Sequence, residues 1–165
     1  MYDRSQRYIA CDYGTTNPTV FLDIYDDGEI IRVDREYRWD SRKERRQKTD
    51  QEYADDFLEF MGERDATVLV DPSAASFIVA LRQRGVYVRE ANNDVLDGIR
   101  RMSVLVKRRE LLVHEECSGF LDEIGTYMWD DKAAMRGEEK PVKQCDHDMD
   151  SCRYFCNYLP NWRFE

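Results

Sequence analysis

The chain is 165 residues long, 42% hydrophobic and 36% charged, with a formal net charge of −9. A domain of that size buries roughly 70% of its extended-chain surface, and no apolar run approaches the ~18 residues needed to span a bilayer. The opening MYDRSQRYIACDYG lacks an apolar h-region and a small-residue cleavage site, which excludes a secretory signal and points to the cytoplasm.

In chain order, RYIACD (7–12) reads as a short buried strand ending on an acid. TVFLDIY (19–25) alternates as a strand, DDGE is a hairpin turn, and IIRVDREYRW (30–39) is the return strand. The basic stretch 41–49 is a loop, and TDQEYADDFLEFMGE is an amphipathic helix that Thr49 or Asp50 can cap and Gly62 ends. ATVLVD (66–71) is a second buried strand ending on aspartate. PSAASFIVALRQRG follows as a helix, with Pro72 in its first turn and Gly85 just past its end. VYVREA is a strand, NNDVLDGIRRMSVLVKRREL a longer helix, LLVHE a strand and CSGFLDEIGTYMW a helix. DDKAAMRGEEKPVKQ is a polar loop, and DHDMDSCRYFCNYL closes the chain as an amphipathic helix. A meander of three strands, then alternating helix and strand, makes an α/β fold with a mixed sheet, one domain over 1–165.

Five cysteines are an odd number and form no disulfide framework. Cys145, His147, Cys152 and Cys156 crowd together, but there is no CxxC pair, and Cys152 and Cys156 stand four apart at core-like helical spacing. Reduced, mostly buried thiols are expected rather than a zinc site.

Asp12 and Asp71 each end an apolar strand, where ligands collect in open α/β sheets. A carboxylate there is costly to bury unless a positive group faces it. Each can also cap the turn or helix that follows; two in matched positions, with a third acidic cluster downstream, favour a metal. That cluster, Asp146-His147-Asp148-Met149-Asp150, opens the last helix, where Asp146 is placed to be the N-cap. Acids suit a helix N-terminus electrostatically, but a histidine cation gains nothing there, so a neutral imidazole on a metal fits His147 better. His147 and Asp150, three apart, share a helical face. Carboxylates from separate elements plus a histidine are what two-metal phosphodiester hydrolysis requires. His114, in LLVHE, is read as structural, and Tyr13, Tyr127 and Trp129 are given no role.

CDYGTTNPTVFL, VDPSAASFI, NDVLDGI, YMWDDKA, RGEEKPVK and DHDMDSCRY, in that order, resemble the nuclease domain of phage terminase large subunits, over about residues 8–158. The resemblance implies a ribonuclease-H-like fold and cleavage of double-stranded DNA with two divalent cations, Mn²⁺ or Mg²⁺, during genome packaging in the host cytoplasm. It also implies the terminase ATPase domain, the small terminase subunit and the portal as partners. Asp12, Asp71 and His147 become the catalytic set and, with Asp150, the metal ligands, His147 and Asp150 matching the family's DHxxDxxRY pattern. No G-x-x-x-x-G-K-[ST] phosphate loop occurs, so the chain is expected to be the nuclease domain without the ATPase.

A net negative charge is compatible with DNA when a basic track lies beside an acidic pit. Arg42, Lys43, Arg45, Arg46 and Lys48 form one candidate track for phosphates, and Lys132, Arg136, Lys140 and Lys143, leading into the last helix, a second. Other readings are a non-catalytic DNA- or portal-docking module, a Holliday-junction-resolvase-like nuclease, and the actin, Hsp70 and sugar-kinase superfamily, whose first phosphate loop DYGTTNP resembles. The last needs two such domains and has no counterpart of DHDMDSCRY.

Overall fold

A computed structural model describes residues 5–125 and 146–165. Six strands run β1 (Gln6–Asp12), β2 (Thr19–Asp26), β3 (Ile31–Trp39), β4 (Thr67–Val70), β5 (Val88–Glu90) and β6 (Leu111–Val113). The helices are α1 (Asp50–Met61), α2 (Ala75–Gln83), α3 (Val95–Lys107), α4 (118–125) and α5 (His147–Tyr158), with a closing 3₁₀ turn at Asn161–Phe164. The sheet order is β5-β4-β1-β2-β3-β6. β1, β2 and β3 form the antiparallel meander, while β4 lies parallel to β1, β5 to β4 and β6 to β3.

Period-two alternation gives the sheet two apolar faces. Ile9, Cys11 and Phe21 meet Tyr53 and Phe57 of α1 and Phe77 and Leu81 of α2. Tyr8, Ala10, Val20 and Leu22 meet Met102 and Leu105 of α3, Phe120 of α4, and Met149, Cys152 and Phe155 of α5. A register shift on β3 breaks the alternation: Ile24 faces Val33 but Asp23 faces Arg35, so the ladder skips Asp34. Beyond that bulge the parity inverts. Arg35 thereby joins Asp23, while Glu36 and Arg38 turn toward α4 and α5.

Helix ends follow the sequence in part. Thr49 caps α1 through a complete capping box with Glu52, and Gly62 ends it at φ 65°. Asp94 caps α3 by accepting from the Asp97 amide at 2.8 Å. Two expectations are corrected. Pro72 precedes α2 rather than opening it, because the Asp71 carbonyl and carboxylate take the Ala74 and Ser73 amides and turn the chain before Ala75. Asp146 makes no side-chain cap on α5; Glu123 of α4 takes the Asp148 and Met149 amides instead. Cys11, Cys117, Cys152 and Cys156 are buried free thiols in the core, as expected of them, and Cys145 lies outside the described residues.

Candidate active site

β1 and β4 are parallel neighbours in the register Cys11↔Val70, so the next residues, Asp12 and Asp71, emerge side by side at one sheet edge. Their carboxylates open into a cleft of about 440 Å³ that is also lined by Asp146, His147, Asp150 and Tyr154. On α5, residues 147, 150 and 154 fall on one stripe of the helix, and that stripe faces the strand ends.

The contacts are specific. His147 Nδ1 lies 2.8 Å from Asp12 Oδ2. The Tyr154 hydroxyl donates to Asp71 Oδ2 at 2.8 Å and also reaches Asp12 Oδ1 at 3.4 Å, so one phenol spans both carboxylates. Asp150 accepts from Arg153 Nη2 at 2.7 Å, and Arg153 Nη1 donates to the Asn93 carbonyl at 2.7 Å. Asn157 donates to the Asn92 and Asp94 carbonyls, both at 2.9 Å, fastening the 92–94 turn to α5. Among the described residues no three carboxylate, imidazole or thiol groups already form a metal cage. Tyr154 and His147 engage the carboxylate oxygens in its place.

Burial works against the charge on Asp71, yet hydrogen bonds from the Ser73 amide, Tyr154, the Ser73 hydroxyl and Asn93 outweigh it and lower its pKa. Burial, the Asp12 charge and the bond to Asp71 raise the Tyr154 phenol, which stays a neutral donor. Burial pushes Asp150 up to about 6 against the pull of Arg153. For His147, burial lowers the pKa but the hydrogen bond to Asp12 and its charge, with Glu123 and Asp146, raise it overall. The Asp12 pairing thus opposes the neutral imidazole expected from the helix dipole alone.

Behind the cleft, Arg38 pairs with Glu123 at 2.9 Å and with Asp148. Burial, then a hydrogen bond to Glu36 and the charges of Glu123 and Glu36, push Asp148 up to about 10 despite Arg38.

Gly98 and Gly14 sit at close approaches that a side chain would clash with. A Cβ at Gly98 would stand 2.0 Å from Arg153 Cγ, and one at Gly14 would stand 2.8 Å from the Asn17 carbonyl oxygen. The Gly14 amide donates to Thr19 Oγ1 at 3.2 Å, so this turn does not present it to a phosphate as a nucleotide loop would.

All four residues singled out as ligands, Asp12, Asp71, His147 and Asp150, line the cleft. Arg42, Lys43, Arg45 and Arg46 are exposed on a turn organised by Asp40, whose carboxylate takes the Arg42 and Lys43 amides. Arg45 adopts φ 53°, and Arg46 pairs with Glu52. Lys48 is committed to Asp56 and lies 3.9 Å from the Trp39 ring. Gln47 donates to the Thr15 carbonyl at 3.2 Å, joining this turn to the 13–17 turn at the cleft rim. Lys132, Arg136, Lys140 and Lys143, with Tyr127 and Trp129, lie outside the described residues. His114 is exposed, its Nδ1 accepting from the Glu116 amide. Sequence reasoning missed Tyr154, Arg153, Asn93 and Glu123. Tyr154 stands seven residues after His147, a spacing that puts it on the same stripe.

No protein-family model and no curated protein matches the chain. Among solved structures, the large terminase of a thermophilic bacteriophage is 43% identical with a TM-score of 0.83, over 95% of this chain and 41% of that one. The nuclease domain of the P22 large terminase is 16% identical, TM-score 0.73, over 98% and 84%. The nuclease domain of g2p, the large terminase of bacteriophage SPP1, solved with bound Mn, is 16% identical, TM-score 0.60, over 93% and 85%. The two nuclease domains establish the fold, and the first match adds sequence kinship across about two-fifths of a large terminase. The chain is thus similar in sequence to part of a phage large terminase and shares its fold with the P22 and SPP1 nuclease domains.

Proposed function

We propose that the chain is a metal-dependent endonuclease domain that cuts double-stranded DNA during phage genome packaging, using two divalent cations, Mn²⁺ or Mg²⁺. The observation that carries this reading is the convergence of Asp12, Asp71 and His147, from two neighbouring strand ends and one helix, in a single cleft. The kinship to a large terminase and the Mn bound by the SPP1 nuclease domain support it.

The donor set fits the cations. Among the described residues it offers carboxylate oxygens and one imidazole, while the described thiols are buried in the core, so it suits hard or borderline divalent ions. Asp12, Asp71 and His147 would hold them, with Asp150 at the margin. When bound, such ions activate a water and neutralise charge on the phosphate being cut. The chain's own residues do the rest. Hydrogen bonds keep Asp71 ionised, Tyr154 holds both carboxylates in one orientation, and Arg153 fixes Asp150 against the 92–94 turn. Arg42, Lys43 and Arg45 are available for phosphate contacts beside the rim, and Lys132, Arg136, Lys140 and Lys143 are proposed as further phosphate contacts. Contacts to the backbone suit cutting that ignores local sequence. The terminase ATPase part, the small subunit and the portal are the proposed partners, in the host cytoplasm.

Plasmid nicking with Mn²⁺, Mg²⁺ or chelator tests the reading. Cleavage should need a divalent ion, with Mn²⁺ at least as effective as Mg²⁺ because magnesium accepts imidazole less readily. Cleavage that persists in chelator would overturn it.

A further inference from the structure

We infer that Glu123 is a positioning residue for His147, acting as an imported N-cap for α5 and itself held by Arg38. The first turn of a helix leaves amide donors without intrahelical partners. In α5 the residue placed to cap, Asp146, makes no side-chain bond to them. A single carboxylate oxygen from another helix does so: Glu123 Oε2 accepts from the Asp148 amide at 2.8 Å and the Met149 amide at 3.1 Å. The other oxygen, Oε1, accepts from Arg38 Nη1 at 2.9 Å.

Arg38 stands two residues after Glu36 on β3, and Glu36 caps α4 by taking the Gly119 and Phe120 amides at 3.1 and 2.9 Å. The order is therefore β3 to α4 to α5, each step fixed by a carboxylate on helix amides. Packing leaves it no slack. A Cβ at Gly119 would stand 2.5 Å from Glu36 Oε1 and 3.1 Å from Asp148 Oδ2, and Glu123 is only 8% exposed.

His147 immediately precedes the two capped amides and reaches the other way, to Asp12. Its reach depends on where the first turn of α5 begins, and Glu123 sets that point from behind. The Asp34 bulge is what delivers Glu36 and Arg38 to this face.

The inference rests on the nuclease reading for its metal arm only, and its other arm is independent of activity. The chain has two histidines, and the His114 ring is exposed and accepts from the Glu116 amide rather than from this network. An imidazole ¹H–¹⁵N spectrum recorded in chelator therefore reports His147 against an internal reference. Glu123→Ala should move the His147 signals away from the Asp12-bonded pattern and leave those of His114 in place. Calorimetric titration should show Mn²⁺ binding weakened by about tenfold or more, the usual penalty for losing a group that orients a ligand. Glu123→Gln keeps one oxygen for the two amides and should recover much of both; it also serves if the alanine variant does not fold. Arg7→Ala, which breaks a buried ion pair elsewhere, should lower stability without moving the His147 signals. Unchanged His147 signals in Glu123→Ala, or equal movement in Arg7→Ala, would overturn the inference. Moved signals in a protein whose wild type never cuts DNA would uphold the positioning and overturn the nuclease reading instead.

Discussion

Two clusters of buried ionic groups on the sheet are built on opposite terms. On the α1 face, Asp23 is wholly buried and accepts four hydrogen bonds, two from Arg7 and two from Arg35. The spare donors of those arginines hold the Phe60, Met61 and Arg64 carbonyls at the end of α1. On the α5 face, Glu36, Glu123 and Asp148 gather around one guanidinium, and Asp148 Oδ1 finds no hydrogen-bond partner among the described residues. A buried charge that is fully satisfied fixes a joint. Where three carboxyl groups share one arginine, burial and mutual repulsion hold a proton on Asp148 instead of leaving three charges.

Crossing two variants breaks the comparison most sharply. Asp12→Asn or Asp71→Asn should reduce plasmid cleavage to background while leaving a folded protein. Arg7→Ala should do the reverse. It strips two of the four bonds from Asp23 and should cost about 3 kcal/mol or more, a large share of the roughly 5–15 kcal/mol holding a domain together, with no change in the Mn²⁺ concentration needed for cleavage. Denaturant melts and metal titrations on all three variants check both halves.

Gly98→Ala sharpens the contrast within α3. Alanine usually stabilises a helix interior relative to glycine, but here the added methyl meets the Arg153 stem at 2.0 Å. Arg153 is pinned at both ends, so overpacking should cost about 1–3 kcal/mol and loosen Asp150 and the 92–94 turn. A stabilised Gly98→Ala protein would show that Arg153 can swing aside.

The Asp12–His147 pair gives a pH signature. The His147 pKa is raised in the folded protein, so the pair's stabilisation is fully present below the ordinary histidine value of about 6.5 and is lost as pH rises through the folded value. In chelator, the melting-temperature gap between wild type and Asp12→Asn should be wider in acid and shrink toward alkaline pH. A gap that is flat with pH would mean the imidazole does not hold that carboxylate.

The sequence carries the meander, the capping box at Thr49 and the two strand-end aspartates because each is local, visible in period, spacing or one turn of chain. The rest depends on distant partners. Gly98 looks like a weak point in a helix until Arg153, far along the chain, passes over it. Glu123 is an ordinary helical glutamate by pattern, and nothing near it says that it will cap another helix. The bulge at Asp34 inverts an alternation that otherwise reads straight through, so pattern alone assigns Arg38 to no face. Asp146 is the natural cap by spacing and loses that role to a carboxylate from outside.

The same rule, that a satisfied charge is scaffold and an unsatisfied one is available, separates the basic residues of the 41–48 turn. Arg46 pairs with Glu52 and Lys48 with Asp56, whereas Arg42, Lys43 and Arg45 make no ion pair among the described residues and stand exposed. Asp40 and the left-handed backbone at Arg45 hold the turn in shape, so their charges approach a duplex at little ordering cost. Each phosphate they neutralise should add about 0.9 to the slope of log affinity against log salt. Replacing Arg42, Lys43 and Arg45 by alanine should flatten that slope and weaken binding similarly on any sequence, with the metal requirement unchanged. Replacing Arg46 should lower stability slightly, since surface pairs are worth about 1 kcal/mol or less, replacing the largely buried Lys48 should lower it more, and both should leave the slope nearly as it was. Binding isotherms on two unrelated duplexes at several salt concentrations distinguish the cases. An equal loss of slope from both groups would mean that the internal pairs open to meet DNA, and that satisfaction within the fold does not decide which charges reach the substrate.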